Sequence, residues 1–277
     1  MMGDGKGSSS MSMVMHIIDA FTNEKYKGNP AAVCLVEEAI PESRMQIIAS
    51  EMNVSETAFV RPGDEGYSLR WFTPKAEVDL CGHATLAAAH ALWDTGRLAV
   101  TQRAVFQTKS GILTVERDGE WMIMDFPSEP AAPTEAPKEL IEALGLIPRY
   151  VGRNRMDYLV EVDSEATVRT LQPDFQLLKT LQTRGVIVTS AAEKKGEGAS
   201  FDFISRAFFP GIGVDEDPVT GSAHCALAPY WAKRLRREAL IGYQASERGG
   251  YVRVQLKGER VLLSGQAVTV LRGELTE

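Results

Sequence analysis

The chain has 277 residues, which is enough for one large domain or two domains of ordinary size. Hydrophobic residues make up 44% and charged residues 24%, a balance typical of a globular protein that buries a core. The formal net charge of −7 argues against nucleic acid as a partner, because binding to phosphates needs a basic surface.

The cysteines and the apolar runs limit the class further. Cys34, Cys81 and Cys225 show no metal-ligand spacing, which indicates a reducing compartment without a disulfide framework, and we expect a cytoplasmic protein. No apolar run reaches 18 residues, so we expect no membrane association. Residues 1–13 contain Gly and Ser but no signal-peptide core, and we interpret them as a flexible leader outside the fold.

Hydrophobic periodicity and turn residues predict the elements of the first half in chain order. They are strands at 14–19 and 31–36, a helix at 41–52, strands at 55–61 and 67–72, a helix from Gly82 to Asp94, and strands at 103–108, 111–117 and 120–126. The Pro-rich segment 127–137 is a linker by composition.

The second half repeats this order. We predict helices at 137–144, 173–181 and 221–237, and strands at 157–163, 185–190, 200–208, 250–257 and 260–270. The pattern predicts an α/β (α+β) fold in two similar halves, each with a sheet packed against one long apolar helix.

Segments 70–89 and 206–228 support an internal duplication. Both begin Arg-x-Phe-x-Pro and continue to Val-Asp, after which 216–218 looks like a three-residue insertion in the second copy. Both then reach a Gly-x-Ala run that opens an Ala-rich helix. We therefore expect an N-terminal lobe at 14–127 and a C-terminal lobe at 128–277, whose last strand can return to the first lobe.

The two Gly-x-Ala runs predict an anion site. The first backbone N–H groups of a helix lack partners within the helix, and Gly82 and Gly221 would let a ligand approach them closely. A pseudo-twofold relation between the lobes would turn both helix starts toward one cleft. The alternative is ordinary N-capping, for which Thr220 and Ser222 are suitable residues.

Glu56 is the candidate for proton chemistry. It lies in "NVSETAF" among small and apolar residues, which would raise its pKa and suit a general base near neutral pH. Counting along the repeat places about Val186 at the equivalent position, so the carboxylate occurs in one lobe only. An exposed strand glutamate without a function is the alternative.

Four segments in this order, "GNPAAV", "SETAF", "EVDLCGHATLAAAH" and "DPVTGSAH", resemble the signature segments of the PhzF-like isomerases, a phenazine-biosynthesis-like family. The resemblance implies the diaminopimelate-epimerase-type fold, with two lobes that each wrap a curved, barrel-like sheet round a central helix, and no cofactor or metal. It further implies roles for seven residues. Glu56, His83 and Asp217 are the catalytic candidates, and Asn29, Gly82, Gly221 and Ser222 the candidates for substrate binding.

The superfamily also contains racemases and epimerases that use a cysteine at each helix start. Here Cys81 occupies one of those places, but Thr220 occupies the other, and its hydroxyl is too weak an acid to replace a thiol. A small apolar role for Cys81 is the alternative. His16, His90 and His224 form no metal set at the usual spacings.

Three hypotheses follow. The first is an isomerase of the PhzF type that binds a small carboxylate and moves one of its protons with Glu56. The second is an amino-acid or hydroxy-acid epimerase with Glu56 and Cys81 as unlike bases. The third is a binding or interaction protein on the same fold. The sequence does not identify the substrate, and a homodimer is the expected assembly by base rate.

Overall fold

The computed structural model describes residues 13–193 and 200–276. Residues 1–12 of the expected leader lie outside this range, whereas Met13 is the buried first residue of a strand. Among the described residues, none of the helices is both long and apolar enough to cross a membrane.

The described residues form eighteen strands and six α-helices, numbered in chain order, and one 3-10 helix at Pro210–Ile212. The strands are β1 Met13–Ala20, β2 Asn29–Leu35, β3 Glu56–Gly63, β4 Gly66–Phe72, β5 Glu77–Val78, β6 Ala104–Thr108, β7 Gly111–Asp118, β8 Trp121–Pro127, β9 Ala132–Pro133, β10 Tyr150–Arg153, β11 Asp157–Glu161, β12 Gly185–Ala191, β13 Phe203–Phe209, β14 Val214–Asp217, β15 Ala239–Gln244, β16 Gly250–Lys257, β17 Arg260–Gly265 and β18 Ala267–Leu275. The helices are α1 Glu42–Met52, α2 Gly82–Asp94, α3 Lys138–Leu144, α4 Glu165–Thr170, α5 Phe175–Leu178 and α6 Gly221–Leu235.

The two halves share one strand topology. In the first half β1 and β2 are antiparallel, β2 and β3 parallel, β3 and β4 antiparallel, and β4 and β6 parallel, followed by the antiparallel run β6–β7–β8. Strands β10 to β17 repeat these relations in the same order, with β13 and β15 as the second parallel pair. Strands β5 and β14 pair in matching places, with β4 and β13. The duplication inferred from sequence therefore extends to the whole topology.

Each half packs its sheet against one buried helix. Ten of the thirteen residues of α2 are buried, and most of them are Ala or Leu. Such a helix, apolar on nearly every side, is stable only when strands enclose it. Helix α2 contacts β1, β2, β3, β7 and β18, and α6 contacts β15, β16 and β17.

The halves are joined by strand pairing. Strand β8 pairs antiparallel with β17, and β18 pairs antiparallel with β1. The segment predicted as one strand at 260–270 is therefore two strands, which separate at Gln266 and pair with different partners. The segment predicted as a linker also contains a short strand, β9, that pairs with β10.

Several predicted elements differ in extent. The helix predicted at 173–181 is only the four residues of α5, and α4, β10 and β15 were not predicted. Strand β15 contains Gly242, which weakens a strand pattern in sequence. In the structure a side chain there would collide with Phe203, since a Cβ on Gly242 would lie 2.5 Å from that ring.

The insertion in the second copy lies upstream of the expected place. Arg70 forms a two-nitrogen ion pair with Glu77, and Arg206 forms the same pair with Glu216. Glu216 is therefore the counterpart of Glu77, and the three extra residues fall within 211–215. The sequence placed the insertion at 216–218 because Val78-Asp79 was aligned with Val214-Asp215. The matching ion pairs show that this alignment was wrong.

Candidate active site

The first residues of α2 and α6 face each other. A Cβ built on Gly82 would lie 3.9 Å from the Cα of Gly221, and a Cβ built on Gly221 would lie 3.9 Å from the Cα of Gly82. Both helices direct the positive ends of their dipoles toward this point. The expected meeting of two helix starts is what the structure shows.

Neither helix start is capped by its own N-cap side chain. The N-cap residues are Cys81 for α2 and Thr220 for α6, and both lack a side-chain cap hydrogen bond within the described part of the chain. The Thr220 hydroxyl instead donates to Asp217 and accepts from the Gln244 side-chain amide at 3.1 Å. Thr220 therefore does not cap α6 with its side chain, in contrast to the alternative considered from the sequence.

Glu56 begins β3 beside the first turn of α2. Its Oε2 lies 3.3 Å from Nε2 of His83, and both atoms are buried without a hydrogen bond to any described residue. Burial, reinforced by the nearby negative charge of Asp217, raises the pKa of Glu56 to about 7. Burial also lowers the pKa of His83 to about 4, so this imidazole is neutral near pH 7.

Asp217 ends β14 and is held by a donor on each oxygen. The Asn29 amide donates to Oδ1 at 3.0 Å, and the Thr220 hydroxyl donates to Oδ2. Burial raises the pKa of Asp217 to about 6, although these two hydrogen bonds oppose the shift. A second donor of the same Asn29 amide reaches the Val219 carbonyl at 2.9 Å. Asn29 therefore ties the first lobe to the segment that carries Asp217.

The strand registers show which positions of the two lobes correspond. Thr57 pairs with Phe72 as Val186 pairs with Phe208, so the counterpart of Glu56 is Gly185, one residue before the expected Val186. A side chain at Gly185 would collide with Phe209, because a Cβ there would lie 2.1 Å from that ring.

The same comparison applies to Asp217. Trp71 pairs with Val78, and its counterpart Ala207 pairs with Asp217, so Val78 is the counterpart of Asp217. Each lobe thus supplies one carboxylate that the other lobe lacks.

Ser222 is braced by an arginine that sequence reasoning missed. Arg184 Nη2 donates to Ser222 Oγ at 3.0 Å, and its Nε donates to Asp157 at 2.9 Å. Asp157 is buried, and the guanidinium lies over the Phe209 ring. Asp157 begins β11, and Arg184 directly precedes the neighbouring parallel strand β12. No short sequence motif marks that arrangement.

Cys81 lies close to two of the candidate catalytic residues, His83 and Glu56. Its Sγ lies 3.4 Å from Nδ1 of His83. Ligand atoms of Glu56, Cys81 and His83 all lie within 4.8 Å of one another. Burial and the nearby Glu56 charge raise the pKa of the thiol well above its usual value. The sequence showed no metal-ligand spacing among the cysteines or around His16, His90 and His224, and Glu56 is too far from Cys81 and His83 in sequence to enter such a pattern.

Two cavities, of about 240 and 100 Å³, lie away from the candidate site, and the residues that line them include none of the seven predicted site residues. Glu56 itself keeps 19% of its side chain exposed, which leaves a route to solvent.

Comparison with known proteins identifies relatives along nearly the whole chain. Residues 18–273 match the family described as phenazine biosynthesis-like protein, PhzC-PhzF. An uncharacterized isomerase of Halalkalibacterium halodurans is 56% identical over 266 residues, which covers 96% of this chain and 99% of the relative.

Two solved structures share the fold. A PhzF-family protein of Enterococcus faecalis is 42% identical, with a TM-score of 0.91 over 96% of this chain and 100% of that chain. A hydroxyproline epimerase of Agrobacterium vitis is 11% identical, with a TM-score of 0.59 over 96% of this chain and 93% of that chain, and shares the fold alone. The predicted α/β fold of the epimerase type is confirmed.

Proposed function

The chain belongs to the phenazine biosynthesis-like family, and we propose that it is an isomerase that moves a proton within a small carboxylate substrate, with Glu56 as its single base. The name isomerase is carried by relatives at 56% and 46% identity. The position of Glu56 carries the proposal, because this carboxyl has a pKa near 7 beside two uncapped helix starts.

A pKa of about 7 suits a group that must both accept and return a proton. As a carboxylate, Glu56 would take a proton from a substrate carbon. As the acid so formed, it would deliver that proton to a different atom of the same molecule. The neutral His83 ring, 3.3 Å from Glu56 Oε2, would orient the carboxyl or a polar group of the substrate.

The substrate carboxylate would bind at the helix starts. Gly82 and Gly221 expose first-turn N–H groups, which would also stabilise enolate-like charge as it develops. Arginine can only donate hydrogen bonds, so Ser222 Oγ must accept from Arg184. The Ser222 hydroxyl hydrogen is then left to be donated to an anion. This arrangement supports a positioning role for Arg184.

Asp217 and Asn29 would act differently from one another. The Asp217 carboxyl, with a pKa near 6, would accept a hydrogen bond from a polar substrate group and hold the pKa of Glu56 high. Asn29 is fully buried, and its amide donates to Asp217 and to Val219. We therefore assign Asn29 to positioning Asp217 rather than to contact with the substrate.

The geometry favours one base over two. A two-base epimerase needs its acid and base on opposite faces of the reacting carbon. Here ligand atoms of Cys81 and Glu56 lie within 4.8 Å of each other, and the thiol pKa is raised. At the matching place in the other lobe Thr220 donates to Asp217, so its hydroxyl is already engaged.

Exchange of substrate protons with solvent tests the proposal without knowledge of the natural substrate. Cyclic and α-amino carboxylates with an acidic C–H would be incubated with the protein in D2O and followed by proton NMR. We expect C–H to C–D exchange or double-bond migration with at least one compound, and a loss of at least 1,000-fold in Glu56→Gln. A carboxylic acid replaced by its amide cannot take up the proton.

Glu51→Gln is the matched control, because Glu51 is an exposed glutamate five residues away, on α1. It should keep full activity. Exchange that persists in Glu56→Gln would overturn the single-base mechanism. If no compound shows exchange, although carboxylates bind equally well to the wild type and to Glu56→Gln, the result would favour a non-catalytic binding protein.

A further inference from the structure

Glu56, Cys81 and His83 have the side-chain types that bind zinc. Their ligand atoms all lie within 4.8 Å of one another, and Cys81 Sγ is 3.4 Å from His83 Nδ1. In a tetrahedral zinc site an oxygen and a nitrogen ligand stand about 3.3 Å apart, given bonds of about 2.05 Å. Glu56 Oε2 and His83 Nε2, which are 3.3 Å apart, are therefore at a ligand spacing before any metal enters.

Two polar atoms of this cluster are buried and form no hydrogen bond within the described residues. They are Glu56 Oε2 and His83 Nε2, which lie 3.3 Å from each other. His83 is only 6% exposed, so the ring cannot turn to water to satisfy its nitrogen. A buried polar atom without a partner costs free energy, which a ligand at this place would recover.

Two carboxyls bring negative charge to the cluster, opposite the positive ends of the α2 and α6 dipoles. The carboxyls of Glu56 and Asp217 are close enough that the charge of one raises the pKa of the other. The Cys81 thiol would release its proton to solvent when the metal binds, since the thiolate is the ligand form. Sulfur and imidazole ligands select zinc and related soft cations over magnesium or calcium.

We propose that Glu56, Cys81 and His83 bind one zinc-class divalent cation, with a fourth position left for water or a substrate oxygen. Binding of the cation is independent of the function proposed above. Its consequence rests on that function, because Glu56 cannot accept a substrate proton while its carboxylate ligates a metal. The cation would therefore act as an inhibitor at the candidate active site.

Cadmium titration tests the site directly, because cadmium–thiolate bonds absorb in the ultraviolet and the protein alone does not show that band. The metal-free full chain would be titrated with CdCl2, and ZnCl2 would then be added in competition. We expect one equivalent of cadmium per chain, a thiolate band, and its loss when zinc displaces cadmium. The band should disappear in Cys81→Ala, and affinity should fall at least tenfold in His83→Gln and in Glu56→Gln.

Cys225→Ala is the matched control, since Cys225 is a buried cysteine at 5% exposure on the other central helix. It should keep the band unchanged. Circular dichroism checks the fold of each variant, and Cys81→Ser replaces Cys81→Ala if the latter is unfolded. A band retained without the Cys81 thiol, or no band in the wild type, overturns the proposal. Where an exchange substrate is found, zinc should abolish turnover and a chelator restore it.

Discussion

Two carboxyls, Glu56 and Asp217, carry raised pKa values, and burial is the largest cause for both. The charge of Asp217 raises the pKa of Glu56 further. Their hydrogen bonds differ. Asp217 has a neutral donor on each oxygen, whereas Glu56 Oε2 has no hydrogen-bond partner among the described residues. The pKa is about 7 for Glu56 and about 6 for Asp217, and the two hydrogen bonds to Asp217 oppose the effect of its burial.

The raised pKa of Glu56 predicts how stability depends on pH. In the unfolded chain the carboxyl ionises near pH 4.5, and in the folded protein near pH 7, so folding loses stability as pH rises between these values. Glu56→Gln cannot ionise. We therefore expect the free energy of unfolding of Glu56→Gln, relative to that of wild type, to rise by about 2 kcal/mol from pH 5 to pH 8.

Urea unfolding of both proteins at the two pH values measures this gain. Glu139→Gln, at an exposed position on α3, serves as control and should show no such change. A gain that is equal at both pH values would mean that Glu56 is ionised, or protonated, at both.

At the scale of the element, the starts of α2 and α6 decide the site. Glycine at the first position of each helix leaves room between them, and a Cβ added at either would come to 3.9 Å from the other, which is ordinary contact. An alanine would thus fit without collision. It would also favour the helical backbone, because glycine loses more freedom on folding.

Gly221→Ala should therefore separate stability from activity. We expect unfolding free energy to be unchanged or raised by up to about 1 kcal/mol, while substrate turnover falls at least tenfold because the methyl group crowds the anion site. Thermal unfolding and the NMR exchange assay measure the two effects. Gly63→Ala, at the far end of β3, is the control and should leave turnover intact, whereas equal turnover in Gly221→Ala would remove this helix start from the site.

At the scale of the molecule, one ion pair joins the lobes beside the site. Arg248 donates to Asp19 at 2.7 Å and to the Gly28 carbonyl at 2.8 Å. The Asp19 side chain is 2% exposed, and burial raises its pKa despite the arginine. The Gly28 N–H bonds the Gly249 carbonyl at 2.7 Å in the same seam. Opening of the lobes has to strain or break these contacts.

Arg248→Ala should destabilise the protein by about 2 kcal/mol, since it leaves a buried carboxylate without its counter-charge. The loss should be larger at pH 8 than at pH 5, because the carboxyl of Asp19 is nearer to protonation at the lower pH and then needs no counter-charge. Chemical unfolding at both pH values measures it. The double variant Asp19→Asn with Arg248→Ala should regain part of the loss, and a loss as large as that of the single variant would argue against the ion pair.

The sequence predicted the local features well. The starts of α2 and α6 were predicted at Gly82 and Gly221, because a small-residue run before an Ala-rich segment is a local signal. The seven site residues were proposed from a resemblance and from such signals. The structure gathers Glu56, His83 and the two helix starts, and the role of each stays a prediction. Short elements such as α4 and β10 were missed, because they depend on partners outside their own segment.

The sequence by itself determined that two similar halves exist, that each carries a glycine-initiated buried helix, and that Glu56 has no carboxylate counterpart. Periodicity and local propensity are enough for those conclusions. Only the tertiary structure decided that Asp217 matches Val78, that Arg184 braces Ser222, and that Cys81 meets Glu56. Arg184 and Ser222 lie 38 positions apart, and Cys81 directly precedes α2 whereas Glu56 begins β3. Such relations depend on strand register and on how the lobes dock, which no local pattern encodes.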